Sequence, residues 1–243
     1  MRFSGKGILL DIEGTTSSVR FVYDVMFPLV RRDLAAFLER QWDDAEVRRA
    51  CEQMAHDASR TSLEVWCGAD TIRQRETVQA EVLRLMDGDV KATGLKQLQG
   101  LIWRQGFESG ELRAHLYPDV PACLRAWRGA GFDLRIYSSG SVQAQHLFFG
   151  HTEYGDLLSL FSGHYDTSVG AKREVSSYQK IAVDFELDAG EILFLSDVVA
   201  ELDAALAAGM QTGLCLRPGN ANVPPGHGHE EMESFLELEI DNN

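Results

Sequence analysis

Short apolar runs of strand length recur along the outer parts of this chain, and each alternates with a segment of helical spacing. The runs are Gly7 to Ile12, Phe132 to Tyr137, Glu191 to Leu195 and Gln211 to Leu216. Helical segments lie between or after them, at Val142 to Phe149, Ser176 to Phe185 and Val199 to Ala208. Another opens at Tyr117-Pro118-Asp119-Val120-Pro121 and ends near Gly131. Leu160 to Tyr165 reads as a short strand or turn. Strands separated by helices pair in parallel and need cover on both faces, so the pattern predicts an α/β fold around a mostly parallel sheet.

The middle of the chain breaks this rule. From about Arg20 to Leu112 no run reads as a strand, while apolar residues recur at helical spacing. Val22, Met26, Leu29, Val30, Leu34, Phe37 and Leu38 mark one helix, which Pro28 starts afresh or kinks. Val47, Cys51, Met54, Ala55 and Ala58 mark a second. Ile72, Val78, Val82, Leu85 and Met86 mark a third, and Leu95, Leu98, Ile102 and Phe107 a fourth, with Thr93 as its expected cap. The chain therefore reads as an α/β core, residues 1–19 and 113–243, with an all-helical insert, residues 20–112. Pro218 to Gly228 reads as loop, and Phe235, Leu236, Leu238 and Ile240 as a last segment returning to the core.

A formal charge of −14 argues against nucleic acid or an anionic membrane surface as partner. It also means that an anionic substrate needs local help from a cation or from backbone N–H groups. Cys51, Cys67, Cys123 and Cys215 are scattered, with no paired spacing for zinc or for a disulfide framework. No stretch approaches a spanning helix, so a cytoplasmic protein, monomeric by default, is expected.

In open parallel sheets, ligands bind where strands end. Asp11-Ile12-Glu13-Gly14-Thr15-Thr16 closes the first run, with two carboxylates two residues apart. They share a face if strand geometry continues through them. The second run ends in Ser138-Ser139-Gly140-Ser141. Lys172 follows in Gly170-Ala171-Lys172-Arg173, and the run to Leu195 ends in Ser196-Asp197, with Glu201 one helical turn on. Taken singly, each has an ordinary explanation. Asp11 and Glu13 suit a turn or cap, Ser138 a turn, Lys172 a solvated surface, Asp197 an N-cap and Glu201 a solvated helix face. Their order at successive strand ends is what those explanations leave unaccounted for.

That ordered set resembles the haloacid dehalogenase superfamily. The resemblance implies a Rossmann-like core with an inserted helical cap that closes over the site. It further implies Asp11 as nucleophile, Glu13 as acid/base, Ser138 and Lys172 as phosphate ligands, and Asp11, Glu13 and Asp197 as the Mg²⁺ set. Glu13 would contribute to that set by its side chain or by its main-chain carbonyl. Most such phosphatases carry Asp at the second acidic position. Glutamate there, with Tyr117-Pro118-Asp119-Val120-Pro121, Ile136-Tyr137-Ser138-Ser139-Gly140-Ser141, Leu147-Phe148-Phe149-Gly150-His151, Leu160-Phe161-Ser162-Gly163 and Ser177-Tyr178, resembles one subfamily, the enolase-phosphatases of methionine salvage. This implies a small phosphorylated diketone, 5-methylthio-2,3-diketopentyl 1-phosphate, that is enolised and then dephosphorylated with Mg²⁺ as cofactor. Ser139 would join Ser138 in binding it. The competing expectation is a phosphatase of the same superfamily acting on another small phosphorylated metabolite. The histidines show no ligand spacing. His146 and His151 are expected to be structural, and His227 and His229 at most an adventitious metal site.

Overall fold

The structure is a computed structural model that describes residues 1–241; the last two residues of the expected core range, 242–243, lie outside the described residues. The chain divides into two compact units, Met1–Val22 with the chain from Arg113 onward, and Tyr23–Leu112.

The first unit is built on a six-stranded parallel sheet. Its strands are β2 (Gly7–Leu10), β3 (Asp133–Tyr137), β4 (Gly163–Tyr165), β5 (Ile192–Ser196), β6 (Gln211–Cys215) and β7 (Glu230–Met232). They lie in the order β4-β3-β2-β5-β6-β7. A separate parallel pair joins β1 (Arg2–Phe3) to β8 (Glu239–Ile240). The order explains the sequence pattern. The first strand sits in the centre, the chain steps outward through β3 and β4, then crosses back to β5 on the other side. The strand order thus reverses beside β2, the place where open sheets form a ligand crevice. Every residue of β2 and β5 is buried, as expected for central strands covered on both faces.

Helices supply the cover. Helix Val175–Phe185 turns Tyr178, Ile181, Ala182 and Phe185 inward onto Leu9, Phe194, Leu202 and Leu214. Tyr178, Ile181, Ala182 and Phe185 recur at three- and four-residue spacing, one apolar stripe of a helix. Of the expected returning segment, Phe235 and Leu238 are buried, whereas Leu236 is 74% exposed.

The second unit holds helices Phe27–Gln41, Ala45–Asp57, Leu63–Cys67, Thr71–Asp87 and Thr93–Glu108, with no strand among the described residues. A π-helical turn, Val22–Met26, precedes Pro28, which occupies the first turn of its helix, where a missing N–H costs nothing. Two details differ from expectation. The short helix Leu63–Cys67, capped by Ser62 Oγ accepting from the Val65 N–H at 3.1 Å, is too brief to leave a periodic signature. Thr93 does not cap its helix. The Asp57 carboxylate accepts the Gly94 N–H at 2.7 Å instead, and Gly94 lets that helix pack against Met54.

Candidate active site

Asp11 and Glu13, Ser138 and Ser139, and Asp197 follow the carboxyl ends of β2, β3 and β5; Lys172 lies on the segment between β4 and helix Val175–Phe185, and Glu201 in helix Val199–Ala207. β2 stops at Leu10, so strand geometry does not continue through Asp11 to Glu13 as the shared-face argument required. The Ile12 carbonyl accepts the amides of Thr15, Thr16 and Ser17, at 3.3, 3.0 and 2.9 Å, which winds the chain into a tight turn. Gly14 takes a left-handed φ of +72°, and a Cβ there would run into the Asp197 carboxylate. The first acidic loop and the Asp197 loop therefore touch through a glycine that no larger residue can replace.

Asp11 is buried and held at both carboxylate oxygens. Its Oδ1 accepts the Ile12 N–H at 2.7 Å, and Lys172 Nζ lies 2.7 Å from its Oδ2. Ser196 Oγ donates to the same Oδ2 at 3.3 Å. Lys172 is itself buried, with Glu201 Oε2 at 2.6 Å on its other side. Burial works against the lysine charge, but the two carboxylates outweigh it and push the ammonium pKa above its ordinary value. Lys172 is thus a fixed cation at the site rather than the solvated surface lysine its charged neighbours suggested.

Glu201 differs from its sequence reading. It is not a solvated face; it holds Lys172 and Ser196, the latter at 3.2 Å. Burial and the nearby Asp11 charge raise its pKa. Nor does Asp197 cap the following helix. The cap position of Val199–Ala207 is Val198, whose N–H is taken by Ser196 Oγ at 3.1 Å. Burial, then the charge of Asp11, lifts the Asp197 carboxyl to about 7. Ser138, at the end of β3, is buried and its Oγ accepts the Gly140 N–H at 3.2 Å, so the turn role is present. Gln145 Nε2 secures the same loop by donating to the Gly140 carbonyl at 2.9 Å. Ser139 is half-buried on that loop, and Glu13 half-buried on the first.

Among the described residues no group of three or more His, Cys, Asp or Glu side chains is gathered about a single point suited to a metal. Asp11, Glu13 and Asp197 do not form such a three-carboxylate set by their side chains. The arrangement still fits Mg²⁺, which characteristically takes one or two carboxylates, keeps waters and binds substrate phosphate. The buried Asp11 and half-buried Asp197 carboxylates make an oxygen donor set of that kind; burial and then the Asp11 charge raise the Asp197 carboxyl, and a cation would relieve the second of these.

Sequence reasoning missed the residues behind the first loop. Arg217 Nε donates to the Thr15 carbonyl at 3.1 Å, and Asn220 Nδ2 to the Gly14 carbonyl at 2.9 Å. Arg217 also pairs with Asp119 at 2.8 Å and lies over the rings of Tyr117 and Phe235. The available signal was an arginine directly after an apolar strand, in Leu214-Cys215-Leu216-Arg217. Burial would raise the Asp119 carboxyl, but the Phe235 N–H and the Arg217 charge hold it below its usual value. Arg217→Ala leaves that carboxylate buried without its partner, and we expect a loss of about 3–5 kcal/mol, read as a lower urea midpoint. An unchanged midpoint refutes this account. His227 and His229 are structural: His229 is buried between Thr212 and Asp203, and His227 meets Glu231.

The haloacid dehalogenase-like hydrolase family model matches residues 6–209. Enolase-phosphatase E1 of Sorangium cellulosum is 49% identical over 233 residues, covering 96% of this chain and 97% of its own. The chain belongs to the enolase-phosphatase E1 family of haloacid dehalogenase-like hydrolases. Enolase-phosphatase E1 of Aquifex aeolicus is 47% identical over 239 residues, covering 97% and 99% of the two chains. Among solved structures, UTR4 protein from Saccharomyces cerevisiae superposes with a TM-score of 0.80 at 36% identity, covering 96% of this chain and all of its own. Arg217 and Asn220 lie beyond the stretch that the hydrolase family model covers.

Proposed function

We propose that this enzyme is a Mg²⁺-dependent enolase-phosphatase that enolises 5-methylthio-2,3-diketopentyl 1-phosphate and then hydrolyses its phosphate to give an acireductone. The observation that carries the reading is Asp11. It is a buried carboxylate at the central strand end, oriented through both oxygens and paired with an obligate cation, Lys172. An ordinary turn aspartate needs neither.

In this reading the Asp11 carboxylate attacks phosphorus and carries the phosphoryl group as an aspartyl-phosphate. Glu13 gives a proton to the departing oxygen and takes one from the water that hydrolyses the intermediate. Ser138, Ser139 and Lys172 hold the phosphate oxygens, and Lys172 offsets the repulsion between two anions. Glu201 and Ser196 keep Lys172 and Asp11 in register. Asp11, Asp197 and the Glu13 main-chain carbonyl are the proposed Mg²⁺ ligands. When bound, the ion supplies charge neutralisation at the phosphoryl group and polarisation of the diketone. The proposal gives the helical unit the role of a cap. It extends to a monomer working in a reducing compartment, the cytoplasm, in keeping with four free, buried cysteines.

The test is to supply the diketo-phosphate and follow enol absorbance and inorganic phosphate together. Chelation with EDTA should stop phosphate release, and added Mg²⁺ should restore it. Phosphate release without an enol stage would favour a plain phosphatase for another small phosphorylated metabolite.

Proton competition at Asp197 gives a second expectation. Its carboxyl, raised from 3.8 to about 7, must lose a proton before it binds a cation, so apparent Mg²⁺ affinity falls as pH drops below about 7. The stability sign is the reverse for the metal-free protein. A raised carboxyl favours the folded state below its unfolded pKa, and that contribution is lost as pH rises from about 4 to about 7. Mg²⁺ should therefore raise the melting temperature more at pH 8 than at pH 6. An equal increment at both would count against this assignment.

A further inference from the structure

The segment that carries Lys172 is irregular, yet none of the carbonyls from Val169 to Lys172 is left to solvent alone. Lys180 Nζ donates to the Val169 carbonyl at 2.9 Å and Tyr137 Oη to the Gly170 carbonyl at 2.9 Å. Ser177 Oγ donates to the Ala171 carbonyl at 2.8 Å and Tyr178 Oη to the Lys172 carbonyl at 2.7 Å. Four consecutive peptide groups are thus gripped by side chains, three of them from the first two turns of helix Val175–Phe185 and one from the end of β3. Tyr137, Ser177 and Tyr178 are fully buried. Gly170 is the residue the grip requires, because a Cβ there would collide with Ser177 Oγ.

A loop in this position has no need of buried tyrosine hydroxyls for cohesion alone. Phenylalanine would fill the same core beside Phe194 and Phe185, and water or backbone could satisfy a surface turn. A buried lysine does need it. Lys172 Nζ must meet Asp11 and Glu201 together, and a shift of the backbone by a fraction of an ångström trades one contact for the other. The Tyr137 ring adds to this, lying 5.7 Å from the ammonium.

We propose that Tyr137, Ser177 and Tyr178, assisted by Lys180, are positioning residues that clamp the carbonyls of residues 169–172 and thereby set the Lys172 ammonium between Asp11 and Glu201. The proposal rests on the phosphate-binding role given to Lys172. The clamp acts through the backbone of the lysine itself, so its hydroxyls matter to the reaction although none touches the substrate.

The experiment uses the full chain and the variants Tyr178→Phe and Tyr137→Phe, which remove one hydroxyl each and keep the ring. Amine acylation at Lys172 is timed by mass spectrometry, and thiol labelling of buried Cys215 is timed alongside as a reporter of global opening. The expected result is that Lys172 labels about tenfold faster in each variant while the Cys215 rate stays unchanged. In the same variants kcat/KM on the diketo-phosphate falls about tenfold. Unchanged Lys172 labelling overturns the proposal. So does a rise at Lys172 matched at Cys215, which marks a merely structural role, and so does full kcat/KM in a variant whose lysine is exposed. A wild-type enzyme that does not turn over the diketo-phosphate sinks the assigned reaction instead. The labelling result stands apart from that outcome.

Discussion

Asp11→Asn should lower phosphate release by on the order of 10⁴-fold while leaving a folded protein. The substitution keeps the shape and removes the nucleophile. Its structural cost arises because an amide has one acceptor oxygen where the carboxylate has two. The asparagine can satisfy either the Ile12 N–H or Lys172, but not both, whereas Asp11 now serves each with a different oxygen. A stability loss of about 1–2 kcal/mol is expected from that conflict. Lys172 keeps Glu201 and so is not stranded. Removing the Asp11 charge also withdraws one cause of the raised Asp197 carboxyl, so the metal-free variant should lose part of the pH dependence described above. Phosphate release at the wild-type rate, with circular dichroism unchanged, would sink the nucleophile assignment.

Gly14→Ala should lower the rate on the order of 100-fold, although it removes no functional group. The residue sits at a φ of +72°, where an L side chain costs about 1–2 kcal/mol. The new methyl group would also meet the Asp197 carboxylate, so either the loop or the aspartate must move. A displacement of about 1 Å at a ligating or reacting group costs on the order of 100-fold in rate. The effect should show as a fall in kcat/KM together with a higher Mg²⁺ concentration for half-maximal activity. A variant with weakened folding but an unchanged Mg²⁺ requirement would separate the glycine from the metal site.

The contrast between these two positions shows what the sequence could and could not convey. The α/β class followed from apolar runs alternating with helical periods, because strand and helix spacing are properties of neighbouring residues. The strand ends were legible for the same reason, so Asp11, Ser138 and Asp197 could be placed just beyond them as expected site residues, and Lys172 on a later loop. What Glu201 does was not legible. Its partners, Lys172 and Ser196, depend on how helix Val199–Ala207 leaves β5, and a glutamate one turn into a helix looks the same solvated or buried. The shared-face argument for Asp11 and Glu13 needed strand geometry through residues 11–13, which lie beyond the end of β2. The chain turns after Leu10 because the Ile12 carbonyl gathers three amides, a feature of backbone geometry without a fixed residue signature. Thr93 illustrates the same limit in the helical unit, where Asp57, remote in sequence, provides the cap.

The bracing of Gly14 and Thr15 by Asn220 and Arg217 has a consequence for the order in which the molecule can be completed. The acidic loop follows β2, near the start of the chain, while the arginine that donates to its Thr15 carbonyl lies 202 positions later. Contacts of such long range are formed late, after the intervening chain has been closed into a loop. A nascent or interrupted chain ending before Arg217 carries Asp11, Ser138, Lys172 and Asp197 in full, yet its loop carbonyls lack their donors. Synthesis through Asn220 is therefore a condition for a fully braced acidic loop.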